Sequence, residues 1–451
     1  MTEERYILVY GAGISGCGVA KTLAARGEKV VLFNDTVKTI EEGLVQILEK
    51  AGGTYSCQTS FEEWLPRTKL VIVSPGITFE NPLTEAARAR GIEVIGEVEE
   101  ASRLYSGHWI GITGTNGKTT TTTLVGEMLR SLPCQVRVGG NIGAALSSEA
   151  QGLSNQDWLV AELSSFQLEG VTSFRPDIAL ILNITPDHME RHHTMEKYTA
   201  AKANIFAHQK AEDILILNYD NKLTKSLASQ AHSQICFISR KEILSQGIFL
   251  ENGKFVIKWN GIRQEVCSVS DMQIFGTHNE ENALGAIACA FFAGVDIKVM
   301  QQVLRSFQGV EHRLEYVTTI HGVPYYNDSK ATNPDSTIKA LESFPGHVVL
   351  LAGGHDKLTD LTEMMELIRI KTDALILLGA AQQRFYQAAL KAQIQNIYLV
   401  TTFQEAVEKA YELAHEPQVV VLSPACSSYD MFDNFPQRGR VFKELVRKLP
   451  Q

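Results

Sequence analysis

Short apolar runs without polar alternation recur along the chain, most of them ending in Gly or Ser: YILVYGAG, VVLFND, LVIVSPG, WIGITG, WLVAELS, IALILNI, HVVLLAGG, ALILLGA and VVVLSPA. Segments of helix length separate them. A strand that is apolar on both sides is covered on both sides, so the pattern predicts parallel sheets flanked by helices, an α/β class. Ligands of such folds sit beyond the carboxyl ends of the strands, which directs attention to the residues just after each run.

The runs fall into three blocks, taken as domains over 1–98, 99–309 and 310–451. The first ends near Gly96 to Val98, where the polar stretch EVEEASRLYSGH leads into a new Gly-rich strand. In the second, Asn252-Gly253 between alternating segments of GIFLENGKFVIKW signals a β-hairpin. The third restarts strands at VPYYNDS and ends in the helix VFKELVRKL. The expected architecture is a Rossmann-like N-terminal domain, a central P-loop ATPase-like parallel sheet carrying a small hairpin, and a Rossmann-like C-terminal domain.

Composition narrows the class. The 451 residues exceed one ordinary core, and 44% hydrophobic with 21% charged residues is a globular balance. No stretch approaches the roughly 20 apolar residues of a membrane span. MTEERYILVYGAG runs directly into a strand without a signal-peptide pattern, so a soluble cytoplasmic protein is expected. Seven scattered cysteines without a CxxC pair read as reduced thiols. A net charge of -9 argues against a nucleic-acid partner.

GITGTNGKTTTTTL carries the sharpest chemical signal. A strand ends at Ile112, Gly114 and Gly117 permit a tight loop whose N–H groups point at phosphates, Lys118 adds a cation, and a helix begins at once. Five threonines, Thr119 to Thr123, open that helix against their propensity. Thr119 is placed for its hydroxyl to reach Mg²⁺. GAGISG, with Gly11, Gly13 and Gly16, also joins a strand to a helix, and Asp35 follows about twenty residues later. On spacing alone this is a dinucleotide fingerprint, and a nicotinamide dehydrogenase is one reading of it.

Glu162 ends an apolar strand, where a buried carboxylate requires a partner. His188 lies just beyond another strand. Beside a phosphate loop, this hard-oxygen and imidazole set suits Mg²⁺ better than a transition metal. Lys202 sits in KYTAAKANIF, a helical segment where a lysine is ordinarily solvated. Asn141 follows a strand in GGNIG.

GTNGKT, WLVAELSSFQLE, NITPDHMERH, KYTAAKANIF, FGTHNEENALGA, EHRLEY, NDSKATNPDS and SPACSSYDMFDNF occur in the order found in Mur ligases. The chain resembles that family throughout, and NDSKATN resembles its D-glutamate-adding branch. The resemblance implies ATP-dependent joining of D-glutamate to UDP-N-acetylmuramoyl-L-alanine, in cytoplasmic peptidoglycan precursor synthesis, by a monomer with no membrane partner. An acyl phosphate would precede attack by the amine, with ADP and phosphate released.

For ATP, the resemblance implies Gly114, Thr115, Asn116, Gly117, Lys118, Thr119 and Thr120, with Asn279, Asn282, Arg313 and Asp328. For the UDP sugar it implies Gly13, Ile14, Ser15, Asp35, Thr36, Ser74, Pro75 and Gly76, with Asn141 and His188 near the acyl acceptor. For D-glutamate it implies Lys330, Thr332, Lys357, Ser428, Tyr429 and Phe435. Thr119, Glu162, His188 and Lys202, the last as a carbamate formed with CO₂, would hold two Mg²⁺ ions. Lys118, Asn141, Glu162, His188 and Lys202 form the catalytic set, in an enzyme expected to close on its ligands. Folylpolyglutamate synthase and a non-catalytic nucleotide-binding module stay open beside the dehydrogenase.

Overall fold

The computed structural model describes residues 5–57, 59–356 and 358–450. Packing divides the chain into two units. One comprises the residues up to Ile184 together with Glu196–Val269 and Asn282–Leu304; the other comprises Thr185–Met195, Ser270–Glu281 and the residues from Arg305 onward.

Two sheets belong to the first unit. Strands β1 (Tyr6–Tyr10), β2 (Val30–Asn34), β3 (Thr54–Cys57), β4 (Thr68–Val73) and β5 (Glu93–Gly96) pair in parallel in the order β3-β2-β1-β4-β5. The second sheet contains β6 (His108–Thr113), β7 (Val136–Gly140), β8 (Trp158–Glu162), β9 (Ile178–Ile181), β10 (Ile214–Asn218), β11 (Gln234–Ser239), β12 (Gly247–Glu251), β13 (Lys254–Trp259) and β14 (Ile262–Ser268). Its order is β14-β13-β12-β11-β10-β9-β6-β8-β7. It is parallel from β7 to β12, whereas β13 and β14 fold back antiparallel. The hairpin expected at Asn252-Gly253 is present, with Glu251 opposite Lys254 and both turn residues at positive φ (51° and 72°), as a type I′ turn requires. A second such turn, Asn260-Gly261, extends it to three strands.

The second unit holds β15 (Glu315–Ile320), β16 (Val323–Asn327), β17 (Val348–Gly353), β18 (Thr372–Leu378), β19 (Ile397–Leu399) and β20 (Val419–Leu422), in the order β15-β16-β20-β17-β18-β19. All pairs are parallel except β15 with β16. Apolar clusters cover both of its faces, as they do in the first sheet. All nine apolar runs form strands. The seven cysteines are unpaired thiols, and no helix among the described residues is long and apolar enough to cross a membrane.

The polar stretch after β5 is not a linker. It forms the helix Glu97–Leu104, and Glu97, Glu99 and Glu100 are all buried. Glu99 accepts from the backbone N–H groups of Thr172, Ser173 and Phe174 at 2.8, 2.9 and 3.0 Å. Burial pushes its carboxyl up, yet the hydrogen bonds from Ser173 and Thr172 outweigh this and hold it at about 2.

Glu97 has the opposite balance. Its Oε1 accepts from Ser147 N at 2.7 Å, while its Oε2 and the Ser147 hydroxyl have no partner among the described residues. Burial dominates and raises its pKa above the usual carboxylate value of 4.5. The folded state therefore keeps its proton where the unfolded chain releases one, and stability falls as pH rises above 4.5. Glu97→Gln keeps the shape and removes this dependence. Thermal melts from pH 4 to 8 should show the variant gaining on the parent above pH 4.5, by about 1.4 kcal/mol for each unit of raised pKa. A constant difference across that range would refute the protonated form.

Candidate active site

Strand β6 lies at the switch in strand order, with β8 on one side and β9 on the other. Its carboxyl end runs into the GTNGKT loop. Gly117, at φ 84°, leads into the helix Lys118–Leu129. A Cβ there would lie 2.1 Å from Oδ1 of Asn282, so the loop needs glycine both for its backbone and for the close approach of that side chain. Asn183, after β9, accepts from Asn116 N through Oδ1 at 2.8 Å, and its carbonyl accepts from Thr115 N at 2.9 Å. The Thr115 hydroxyl lies 3.1 Å from the Tyr198 hydroxyl. With no acidic residue in the helix's first turn, the loop and helix N-terminus favour an anion.

Lys118 Nζ donates to the carbonyls of Gly114 and Thr115, both at 2.8 Å. Lys202 Nζ donates to the same Gly114 carbonyl at 2.8 Å and lies 4.7 Å from the centroid of the Tyr198 ring. Lys202, on the helix Met195–Ala203, is only 1% exposed, so the solvated reading of this lysine fails. Thr119 and Thr120 are also buried.

Glu162, at the end of β8, has the partner its burial demanded. Its Oε1 accepts from Asn141 Nδ2 at 2.8 Å, and its carbonyl accepts from Asn141 N at 2.8 Å. Gly140, at φ 105°, lets the chain pass that closely, since a Cβ would lie 2.4 Å from the Glu162 carbonyl oxygen. Oε2 of Glu162 is buried and has no partner among the described residues. A carboxylate oxygen left in that state is costly, and a hard cation or a bound water offsets the cost. With the adjacent hydroxyl-rich helix start, this donor chemistry fits Mg²⁺.

In the first sheet, Gly11 has φ 102°, and a Cβ on Gly16 would lie 1.8 Å from its carbonyl oxygen. Ser74 Oγ donates to that same carbonyl at 2.8 Å, and Asn34 Oδ1 accepts from Ala12 N at 3.1 Å. These bonds fix the loop that precedes the helix Ile14–Ala25, whose N-cap is Gly13 and whose Ile14 is 77% exposed. The carboxylate of Asp35 accepts a hydrogen bond from Tyr10, whose pKa is raised by burial and by this partner. Thr36 is exposed, and its carbonyl accepts from Asn34 Nδ2 at 2.8 Å.

Ser15, Pro75 and Gly76 belong to the first unit, and the remaining candidates lie in the second. His188, at φ 55°, is the N-cap of the short helix Met189–His192. Asn279 Nδ2 donates to the Phe275 carbonyl at 2.8 Å. Arg313 and the buried Asp328 form an ion pair at 3.5 Å; Asp328 also accepts from Ser423 Oγ at 2.8 Å and from Leu314 N at 3.2 Å. Burial pushes Asp328 up to about 6 against the pull of Arg313. Lys330 Nζ lies 4.6 Å from the centroid of the Phe435 ring. Ser428 is buried, Thr332 half-buried and Tyr429 72% exposed. Lys357 lies outside the described residues.

Sequence reasoning missed two supports. Tyr198 is one helical turn before Lys202, and that spacing was its available signal. Arg438, 1% exposed, donates to Ser329 Oγ (3.0 Å) and to the carbonyls of Ser329 (2.8 Å), Cys426 (3.1 Å) and Ser427 (3.2 Å). It thereby ties the Lys330 segment to the Ser428 segment. Nothing in SYDMFDNFPQRGR distinguishes it from a surface arginine.

Residues 5–96 match the Mur ligase MurD-like N-terminal domain, 112–290 the Mur ligase middle domain, and 312–426 the Mur ligase glutamate ligase domain. UDP-N-acetylmuramoylalanine--D-glutamate ligase of Alkaliphilus oremlandii is 43% identical over 99% of both chains, and that of Koribacter versatilis 42% over 99% of this chain and 98% of its own. Among solved structures, UDP-N-acetylmuramate-alanine ligase MurC of Thermotoga maritima has a TM-score of 0.60 at 21% identity, covering 98% of this chain and 99% of that one. MurF ligase of Thermotoga maritima in complex with ADP gives 0.60 at 17% identity, covering 93% of this chain and 96% of that one. The solved structures share the fold, the relatives share the sequence along nearly its whole length, and the chain belongs to the Mur ligase family.

Proposed function

We propose that this chain joins D-glutamate to UDP-N-acetylmuramoyl-L-alanine, converting ATP to ADP and phosphate, as a cytoplasmic monomer in peptidoglycan precursor synthesis. The observation that carries this reading is the set around the GTNGKT loop: two lysines on the Gly114 carbonyl and a buried Glu162 with one oxygen that has no partner among the described residues. The names of the relatives at 42–43% identity support the choice of substrates. We take the domain boundaries at 98/99 and 309/310.

A carboxylate cannot be attacked by an amine until its oxygen becomes a better leaving group. The γ-phosphoryl of ATP is transferred to the L-alanine carboxylate, giving an acyl phosphate and ADP. The amine of D-glutamate then adds to the acyl carbon, and the tetrahedral intermediate expels phosphate. The first step brings two anions together. Lys118 and the loop N–H groups oppose that repulsion and steady the transferring phosphoryl. Asn141 holds one oxygen of Glu162 and leaves the second for a cation. In the first unit, Thr119, Glu162 and Lys202 as a carbamate would hold Mg²⁺; His188 and the second ion are assigned on the sequence resemblance alone. When bound, Mg²⁺ supplies neutralisation of phosphate charge.

The Gly13, Ile14 and Ser15 turn receives the diphosphate of the UDP sugar, Asp35 and Thr36 lie at its uridine end, and Ser74, Pro75 and Gly76 close the pocket. Gly114 to Thr120, Asn279, Asn282, Arg313 and Asp328 bind ATP. Lys330, Thr332, Lys357, Ser428, Tyr429 and Phe435 form the D-glutamate pocket, in which the cations and the hydroxyl or backbone donors take its two carboxylates. Phosphate release measured with UDP-N-acetylmuramoyl-L-alanine and either D- or L-glutamate tests the whole reading. Release should require the UDP sugar and D-glutamate, and release with L-glutamate and a folate in their place would overturn it.

Asp35→Ala should weaken binding of the UDP sugar by about ten- to a hundredfold, the worth of a hydrogen bond to a charged group. Calorimetric titration checks this, with ATP affinity as the internal control. Tight NAD binding by the parent would favour the dehydrogenase instead.

A further inference from the structure

Asn333 and Asp187 are far apart in sequence and touch in the second unit. Asn333 Nδ2 donates to Asp187 Oδ2 at 2.8 Å, and the two residues are 3% and 5% exposed. The amide cannot turn over without loss, because Asn333 is the N-cap of the helix Pro334–Glu342 and its Oδ1 accepts from Ser336 N at 2.8 Å. Asp187 is oriented as well. Its Oδ1 accepts from His188 N at 2.9 Å, and its Oδ2 lies 3.6 Å from His188 Nε2. A second tie runs alongside, from Thr185 Oγ1 to Asp335 Oδ2 at 3.2 Å.

Asn333 directly follows Thr332 and lies three residues after Lys330, two of the residues assigned to D-glutamate. Asp187 directly precedes His188, held in the left-handed region that a non-glycine residue occupies at a cost. We infer that Asp187 and Asn333 are a positioning pair that couples the amino-acid-binding segment to the His188 segment. The inference rests on the ligase reading for the roles of those two segments. By linkage, anything that orders one segment then favours the ordered form of the other.

The plain alternative is that Asn333 only caps its helix, and Asn333→Asp separates the two. Aspartate caps a helix as well as asparagine does, so a pure cap predicts almost no change. A positioning pair predicts a clash, because the donating amide opposite Asp187 Oδ2 is replaced by an oxygen and two acceptors then face each other without a hydrogen between them. For Asn333→Asp we expect a turnover loss of about thirtyfold and a raised KM for D-glutamate. Adding Asp187→Asn reverses the polarity of the bond, since the amide introduced by the second change can donate to the carboxylate introduced by the first. Turnover should then return to within about threefold of the parent. D-glutamate binding, followed calorimetrically with the UDP sugar and a non-hydrolysable ATP analogue present, should show the same loss and recovery. Asn333→Asp with parental turnover, or a double variant as impaired as the product of the single losses, would overturn the pair. If the parent itself released no phosphate with D-glutamate, the ligase reading would fall. Melting temperatures of Asn333→Asp, Asp187→Asn and the double variant would then decide the pair by the same pattern.

Discussion

Lys202→Ala is expected to lower turnover by about a thousandfold or more while leaving UDP-sugar binding intact, the scale on which removal of one preorganised charge acts. Lys202 is buried, its amine shared between the Gly114 carbonyl and the face of Tyr198. An ammonium there would oppose a nearby cation. A carbamate, formed when the neutral amine adds to CO₂, presents oxygens that a hard cation prefers. Truncation leaves a hole behind the phosphate loop that a small carboxylate can enter, so added formate or acetate should restore part of the activity. Lys202→Arg should stay inactive, because guanidinium keeps its charge and is not carbamylated in this way. A carbonyl signal from the parent in ¹³C-bicarbonate, absent from both variants, provides a readout independent of turnover. Full activity in Lys202→Arg would end the carbamate proposal.

Glu162→Gln should be nearly as severe, about two to three orders of magnitude in turnover, with little change in melting temperature. The variant is isosteric, and the oxygen of its new amide can still accept from Asn141 Nδ2. What changes is the second oxygen, buried and without a partner among the described residues, which becomes an amide nitrogen that carries no charge and donates. A loss of stability matching the loss of activity would point instead to a packing role for Glu162.

Much of the fold could be read because its central strands are covered on both faces, and burial selects unbroken apolar runs such as Val348–Gly353 and Trp158–Glu162. The strands that escaped notice are mostly at edges or short. Thr54–Cys57 and Glu93–Gly96 close the two sides of the first sheet with only partial burial, and Ile262–Ser268 begins with four exposed residues. Ile214–Asn218 is different: it is as apolar as its neighbours and carries the same signal. Around the site, the glycines and Lys118 announce themselves because a phosphate loop allows few alternatives. The burial of Lys202 does not, since its helix mixes polar and apolar residues and partners distant in sequence, such as the Gly114 carbonyl, help to enclose it. The burial of the acids in the polar run from Glu97 is equally silent in the sequence. Its acids are matched by backbone N–H groups more than seventy residues away in the case of Glu99.

Those acids also bear on how such a chain can be inherited. Glu97 reaches Ser147 and Glu99 reaches the turn at Thr172 to Phe174, while Gly96 N donates to the Gly170 carbonyl at 2.7 Å. The end of the first sheet is therefore written partly in residues of the second. Exchange of the N-terminal segment between relatives as an interchangeable cassette would strand a carboxylate or a row of amides unless both sides of each bond travelled together. Recombination at this seam is constrained, and the two segments are expected to diverge in step.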